Sequence, residues 1–257
     1  MLPRLQHRLR AKGGAPPAAR QRGFVVPIAK PLTVVSSSKP DEAVGPSGLD
    51  LGSRLLERAA AKAQAAGLEL ELMQQDADAA SFPAASFDAV TCCAALPFLP
   101  DTLASLRSWR GWLRPGGQLV FNAFRAPSSP EFGLLLGLLK DRHGLCVEDP
   151  CARLGSPERC RGALEAAEFT EVQVWTEVVE EVVTKPVAEY VEGVWRQTRH
   201  SPFAPLDALL SAEALDSLHG EYMAAALEAA AGRMEGAGGQ LVSTLTTYVA
   251  RGVRPEE

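Results

Sequence analysis

Gly48-Leu49-Asp50-Leu51-Gly52-Ser53-Arg54-Leu55-Leu56-Glu57-Arg58-Ala59 is the stretch on which the fold turns. Its first residues read as the apolar end of a short strand that delivers an acid, Asp50. Ser53 is then placed to cap a helix running to Ala66. Leu55, Leu56, Ala59 and Ala63 fall on one face of that helix, and Gly67 ends it. Downstream, Leu68 to Gln74 alternates apolar and polar residues as a strand does. Phe87 to Cys93 is a more continuous apolar run, typical of a parallel strand buried on both faces.

The alternation continues along the chain. Asp101 is placed to cap a helix over Thr102 to Leu113. In the following Arg114-Pro115-Gly116-Gly117, proline suits the second position of a type II turn and glycine the third. Gln118 to Phe124 is the next strand. Ser156 and Pro157 open a helix with Cys160, Ala163, Leu164 and Ala167 on one face. Val172 to Val179 is strand-like, and residues 186–232 are mainly helical, broken by Pro202 and Pro205. Gln240 to Val253, rich in Thr and Val, closes the chain as a long β segment. Strands alternating with helices imply an α/β fold, a mostly parallel sheet wrapped by helices. In such sheets ligands bind at the carboxyl ends of the strands, which directs attention to Asp50, to Asp76-Ala77 and to Cys92 through Phe98.

Charge divides the chain unevenly. The 257 residues carry 26 Lys+Arg and 31 Asp+Glu, a net of −5. Eight of the basic residues and none of the acidic ones lie in residues 1–40 (Arg4, Arg8, Arg10, Lys12, Arg20, Arg22, Lys30 and Lys39), so the other 217 residues have a net charge of −13. An acidic body of this kind repels phosphate backbones and disfavours nucleic acid as a partner. Residues 1–44, Arg-rich with Ser36-Ser37-Ser38, have the composition of an organelle transit peptide or a basic leader, and residues 45–257 form the folded domain. The Ser/Ala/Arg mixture with Val25-Val26-Pro27-Ile28-Ala29 leans toward a plastid, with the mitochondrion as the alternative. The longest apolar run, Phe132 to Leu139, falls far short of the roughly 20 residues of a spanning helix. Five cysteines (Cys92, Cys93, Cys146, Cys151, Cys160) form no C-x-x-C pair and show no metal-type spacing, which points to reduced thiols and no bound metal.

Four segments in order carry a resemblance. They are Gly48-Leu49-Asp50-Leu51 with Leu55-Leu56-Glu57-Arg58-Ala59; Gln75-Asp76-Ala77; Ser86-Phe87-Asp88-Ala89-Val90; and Trp112-Leu113-Arg114-Pro115-Gly116-Gly117. Together they resemble the class I S-adenosylmethionine-dependent methyltransferases, specifically the type 11 group that includes ubiquinone and menaquinone methyltransferases. The resemblance implies a Rossmann-like sheet, mostly parallel with a final antiparallel strand, and helices on both faces. It also implies S-adenosylmethionine as cofactor. Asp50 and Leu51 would lie at the end of the second strand, where an acid accepts hydrogen bonds from the ribose hydroxyls. Asp76 and Ala77 would receive the adenine edge, and Cys93 and Ala94 would end the fourth strand beside the sulfonium. One carboxylate accepting two vicinal hydroxyl protons is a chemically apt grip on a neutral sugar.

Leu49-Asp50-Leu51-Gly52-Ser53 could instead begin the family's first-strand motif. Against this, Arg54-Leu55-Leu56 stands where glycines are expected. The 26-residue step from Asp50 to Asp76 also suits strand–helix–strand. That assignment leaves the first strand and its glycine-rich loop unaccounted for. They should lie about 20 residues before Asp50, where Lys30 to Pro40 offers a possible strand, Leu32–Val35, but no glycine. A parallel crossover takes about a dozen residues or more, usually with a helix, and residues 36–48 with two prolines make a poor one. Either residues 24–37 serve as a surrogate strand, or the chain is a truncated or alternatively assembled form; the sequence favours the second.

The expected function is S-adenosylmethionine-dependent methyl transfer to a small, apolar metabolite. The alternative is a catalytically inactive protein of the same fold that acts only by binding. In-line methyl transfer gains much of its rate from alignment, so the lack of a triad or metal cluster is no objection, and no catalytic residue is assigned. His143 and His200 read more readily as solvated loop histidines, and Pro97 stands where relatives often carry histidine. Cys92, Cys93 and Cys160 read as small buried apolar residues, and Phe132–Leu139 as helix packing ahead of a substrate lining. Trp195 and Phe203 are candidates for a lid.

Overall fold

The computed structural model describes residues 33–36, 46–199, 206–236 and 238–256. Its strands are β1 (Thr33–Ser36), β2 (Ser47–Asp50), β3 (Glu71–Gln74), β4 (Phe87–Cys93), β5 (Leu113–Phe124), β6 (Thr170–Val182) and β7 (Val242–Val253). Its helices are α1 (Ser53–Ala65), α2 (Thr102–Trp112), α3 (Pro130–His143), α4 (Pro157–Ala166), α5 (Val187–Arg199), α6 (Leu206–Leu209) and α7 (Ala212–Gly236). The strands form one sheet in the order β3-β2-β1-β4-β5-β7-β6.

β2 pairs parallel to β3, and β4 pairs parallel to β5. The backbone bonds Gly116 N to Arg254 O and Arg125 N to Thr246 O run down β5 as they run up β7, so the last strand is antiparallel, as expected. β1 supplies the central strand that the sequence left unassigned, and it runs antiparallel to both neighbours. Thr33 lies opposite Leu49 and Cys92, and Val35 opposite Ser47 and Val90.

This direction answers the objection raised by the short connection. Ten residues, 37–46, join Ser36 to Ser47, too few for the helical crossover of a parallel pair but ample for an antiparallel return. The surrogate-strand alternative is therefore the one the structure takes, and Thr33–Ser36, inside the 1–44 leader segment, belongs to the sheet. The sheet thus has a second reversed strand at its centre beside the expected one at the end of the chain.

The described residues divide into two compact units. The first takes its described residues from within 33–122, 161–174 and 249–256, and the second from within 123–160 and 175–248. In the first, Phe87, Val90 and Cys92 of β4, Leu119 and Phe121 of β5, and Leu106, Trp109 and Trp112 of α2 are buried. Phe82 meets Phe87 and Trp112 edge-on, with ring centroids 5.0 and 4.9 Å away, the geometry favoured by the ring quadrupoles. In the second, Leu135 and Leu139 of α3 pack with Val191 and Trp195 of α5 and with Leu215, Leu218 and Tyr222 of α7. The apolar run Phe132–Leu139 is therefore helix packing, and Trp195 is a core residue and not a lid; Phe203 lies outside the described residues.

Arg114-Pro115-Gly116-Gly117, expected as a turn before the strand, lies inside β5, where the register with β4 shifts between Phe87 and Ala89. Gly116 sits at φ +72, and a Cβ on Gly117 would lie 2.8 Å from Arg114 O. Both positions require glycine. The closeness they permit lets Gly116 N donate to Arg254 O at 3.0 Å and Gly117 O accept from Arg254 N at 2.8 Å. The irregularity thereby fastens the segment after β7 to the start of β5.

Candidate functional site

Asp50 closes β2 and is only 9% exposed. Its Oδ1 accepts the Gly52 amide at 2.6 Å. Gly52 O in turn accepts the amides of Leu55 and Leu56 at 2.9 and 3.2 Å, opening α1. Ser53, expected as the cap, is instead the first helical residue, and Gly52 before it takes the capping place. The sharp turn is possible because residue 52 lacks a side chain: a Cβ there would lie 3.1 Å from Asp50 Oδ1 and 3.2 Å from Leu55 Cδ1. Leu51, between the two, turns its side chain outward and is 66% exposed.

β3 brings the second acid alongside. Asp50 and Gln74 are register partners, Gln75 N donates to Asp50 O at 3.2 Å, and Gln74 Nε2 donates to Leu51 O at 3.1 Å. The loop that follows carries Asp76 and Ala77. Asp76 Oδ1 accepts the Asp78 amide at 3.0 Å, and Asp78 Oδ1 lies 2.9 Å from the Ser105 hydroxyl of α2. The loop is thus held both by its own backbone and by a helix whose start is capped by Asp101, which accepts the Ala104 amide at 2.9 Å.

On the other side of β1, β4 ends at Cys93 and Ala94. Cys93 is the register partner of Asn122 on β5, and Asn122 Oδ1 accepts the Ala94 amide at 2.7 Å. Ala94 has φ +59, a left-handed conformation costing an L-residue roughly 1–2 kcal/mol, which this bond holds in place. Burial pushes the Cys93 thiol above its ordinary value, so it stays neutral. Pro97 is buried in a one-turn helix at Leu96–Phe98. Cys92 and Cys160 are fully buried, as expected of small core residues.

The carboxyl ends of β2, β3 and β4 therefore bring Asp50, Leu51, Asp76, Ala77, Cys93 and Ala94 to one edge of the sheet. Thr33 of β1 is level with Leu49 and Cys92 there. His143 ends α3 and is not among these strand ends, and His200 lies outside the described residues. Asn122 and Gly52 escaped the sequence reading. The visible signal for Asn122 was one polar residue breaking the apolar run Leu119 to Phe124. Among the described residues no group of three or more His, Cys, Asp or Glu could hold a metal ion, and no helix is long and apolar enough to cross a membrane.

Chemically, the edge offers carboxylates at two adjacent strand ends, an outward apolar side chain between them and a neutral thiol. Such a set suits a ligand with a diol or amino hydrogen-bond donors, an apolar ring and a positive charge. An adenosine with a sulfonium at its 5′ position meets that description. Among the described residues its zwitterionic amino-acid tail finds no such match. The residues level with the start of β1 are the buried, apolar Leu49 and Cys92, and the Ala94 amide is engaged by Asn122.

Residues 46–121 match the family model described as a methyltransferase domain. A demethylmenaquinone methyltransferase of Thermus thermophilus is 38% identical over 88 residues, 34% of this chain and 40% of that protein. A ubiquinone biosynthesis O-methyltransferase of Vibrio parahaemolyticus is 33% identical over 90 residues, 35% of this chain and 38% of its own. The chain thus spans about two fifths of the length of these curated relatives. The YcgJ protein of Bacillus subtilis, a solved structure, aligns with a TM-score of 0.47 and 18% identity over 82% of each chain. The six strand-end residues singled out by the sequence all fall within residues 46–121, the segment similar to the methyltransferase-domain family.

Proposed function

We propose that this chain transfers a methyl group from S-adenosylmethionine to a small, apolar metabolite. The observation that carries the reading is the gathering of Asp50, Asp76-Ala77 and Cys93-Ala94 on one edge, at the strand ends that sequence spacing assigned to them. When bound, the cofactor supplies a methyl group on a positively charged sulfur. Asp50, already oriented by Gly52, accepts the ribose hydroxyls. Leu51 gives the adenine ring an apolar face, and Asp76 with the Ala77 amide reads its polar edge. The neutral Cys93 offers no competing nucleophile, since it is the thiolate that attacks alkyl donors. Alignment of donor and acceptor, and not proton transfer by a named residue, supplies the rate.

The relatives named for menaquinone and ubiquinone methylation support an apolar, quinol-like acceptor. Incubating the full chain with methyl-labelled S-adenosylmethionine and a panel of demethylated quinols tests this. Label is expected in the organic phase with stoichiometric S-adenosylhomocysteine. Absence of transfer from a chain shown to bind the cofactor would leave the second reading, a protein that only binds, which the reversed β1 favours. We further read the Arg-rich leader, acid-free through residue 40, as an organelle address, a plastid before a mitochondrion. A fluorescent fusion to residues 1–44 that stays in the cytosol would contradict it.

A further inference from the structure

We propose that the edge formed by the ends of β2, β3 and β4 recognises the adenosine part of its ligand and is nearly indifferent to the amino-acid tail. Adenosine, S-adenosylhomocysteine and S-adenosylmethionine then bind alike. The inference rests on the reading of the site given above and concerns which part of the ligand that site grips.

The direction of β1 carries the argument. In a sheet whose central strand ran with its neighbours, the loop leaving that strand would emerge between the ends of β2 and β4. Its backbone amides would then face a ligand. Here Thr33, the first residue of β1, is level with Leu49 and Cys92, and the strand runs away from the ligand edge. Its last residue, Ser36, pairs with Ala89 near the start of β4, so the connection to β2 leaves from the opposite edge. The amides of that turn are displaced by the length of the strand.

Among the described residues, what lies between Asp50 and Ala94 is poorly matched to a charged tail. Leu49 and Cys92 are buried and apolar. The Cys93 thiol is neutral, and the Ala94 amide donates to Asn122 Oδ1 at 2.7 Å. A carboxylate and an ammonium moved from water to such surroundings gain no partner among the described residues and lose hydration, so they stay in solvent and add little to affinity. The nucleoside side is better provided, with Asp50 fixed at 2.6 Å by Gly52 and with Leu51 exposed beside it.

Calorimetry on the full chain with adenosine, S-adenosylhomocysteine, S-adenosylmethionine and free methionine tests this. The three nucleosides are expected to bind within about tenfold of one another, with adenosine displacing S-adenosylmethionine and millimolar methionine displacing neither. Asp50→Asn should weaken all three by the same factor, about tenfold or more for one lost charge-assisted hydrogen bond. The displacement experiment needs no variant and stands if Asp50→Asn misfolds. S-Adenosylmethionine binding more than tenfold tighter than adenosine would overturn the inference and leave the methyltransferase reading intact. Failure of all three to bind would overturn both.

Discussion

The Ala94 amide donates to Asn122 Oδ1 at 2.7 Å, joining the ends of two parallel strands at the edge where the candidate site lies. The bond holds Ala94 at φ +59, where an alanine is strained. Asn122→Ala is expected to lower stability by about 1–2 kcal/mol, because the bond that offsets the strain at Ala94 is lost. Ala94→Gly relieves the strain, so in the double variant part of that loss should return. Urea denaturation of the two single variants and the double variant closes the cycle; strict additivity would contradict the coupling.

Glu131, in the first turn of α3, is 2% exposed and ion-paired with Arg233 of α7. Removing the arginine leaves a carboxylate buried without its counter-charge, a change that typically costs about 3–5 kcal/mol. Arg233→Ala is expected to fall at the lower end of that range, because Arg233 is itself one-third exposed and water reaches the gap. Glu131→Gln in the same background removes the charge and should restore much of the loss. Thermal denaturation of the three variants decides; an Arg233→Ala protein as stable as the parent would contradict the role of the pair.

Burial pushes the Cys151 and Cys160 thiols up to about 12, whereas Cys146 is exposed. In the unfolded chain these thiols ionise near 9. The folded state therefore holds their protons longer, and its stability declines as pH rises from about 9 toward 12. Below 9 both states are protonated, and the two thiols cause no pH dependence. Iodoacetamide at pH 8 is expected to modify Cys146 first, and Cys151 and Cys160 only after denaturant is added, as mapped by peptide mass spectrometry. Fast labelling of Cys160 in the native protein would contradict its burial.

Much of this fold could be read from residue patterns, and the reasons are local. Phe87–Cys93 is apolar nearly throughout because it is buried in the sheet, and its bounds were legible to the residue. Asp101 announced the start of α2 because an acid before a helix has one well-defined use. Asp50 and Asp76 were legible because spacing across strand, helix and strand fixes where acids must emerge. β1 was not legible in direction. Four residues, Thr33–Ser36, carry no mark of which way they run, and the direction follows from the ten-residue return to β2 and from pairing on both sides. Ser53 misled because Ser is a good cap in isolation, whereas here Asp50 takes the Gly52 amide and moves the start of the helix back by one residue. Asn122 was hidden because its value lies in a partner 28 residues away.

The reversed central strand is the claim on which the site and its selectivity both depend, and nuclear Overhauser spectroscopy of the full chain tests it directly. Cross-strand contacts are expected from Thr33 to Leu49 and Cys92, from Val34 to Gly48 and Thr91, and from Val35 to Ser47 and Val90. Partner numbers that fall as the β1 residue number rises confirm the antiparallel direction. Partner numbers that rise with it, or backbone contacts directly between β2 and β4 with β1 absent from between them, would contradict the account.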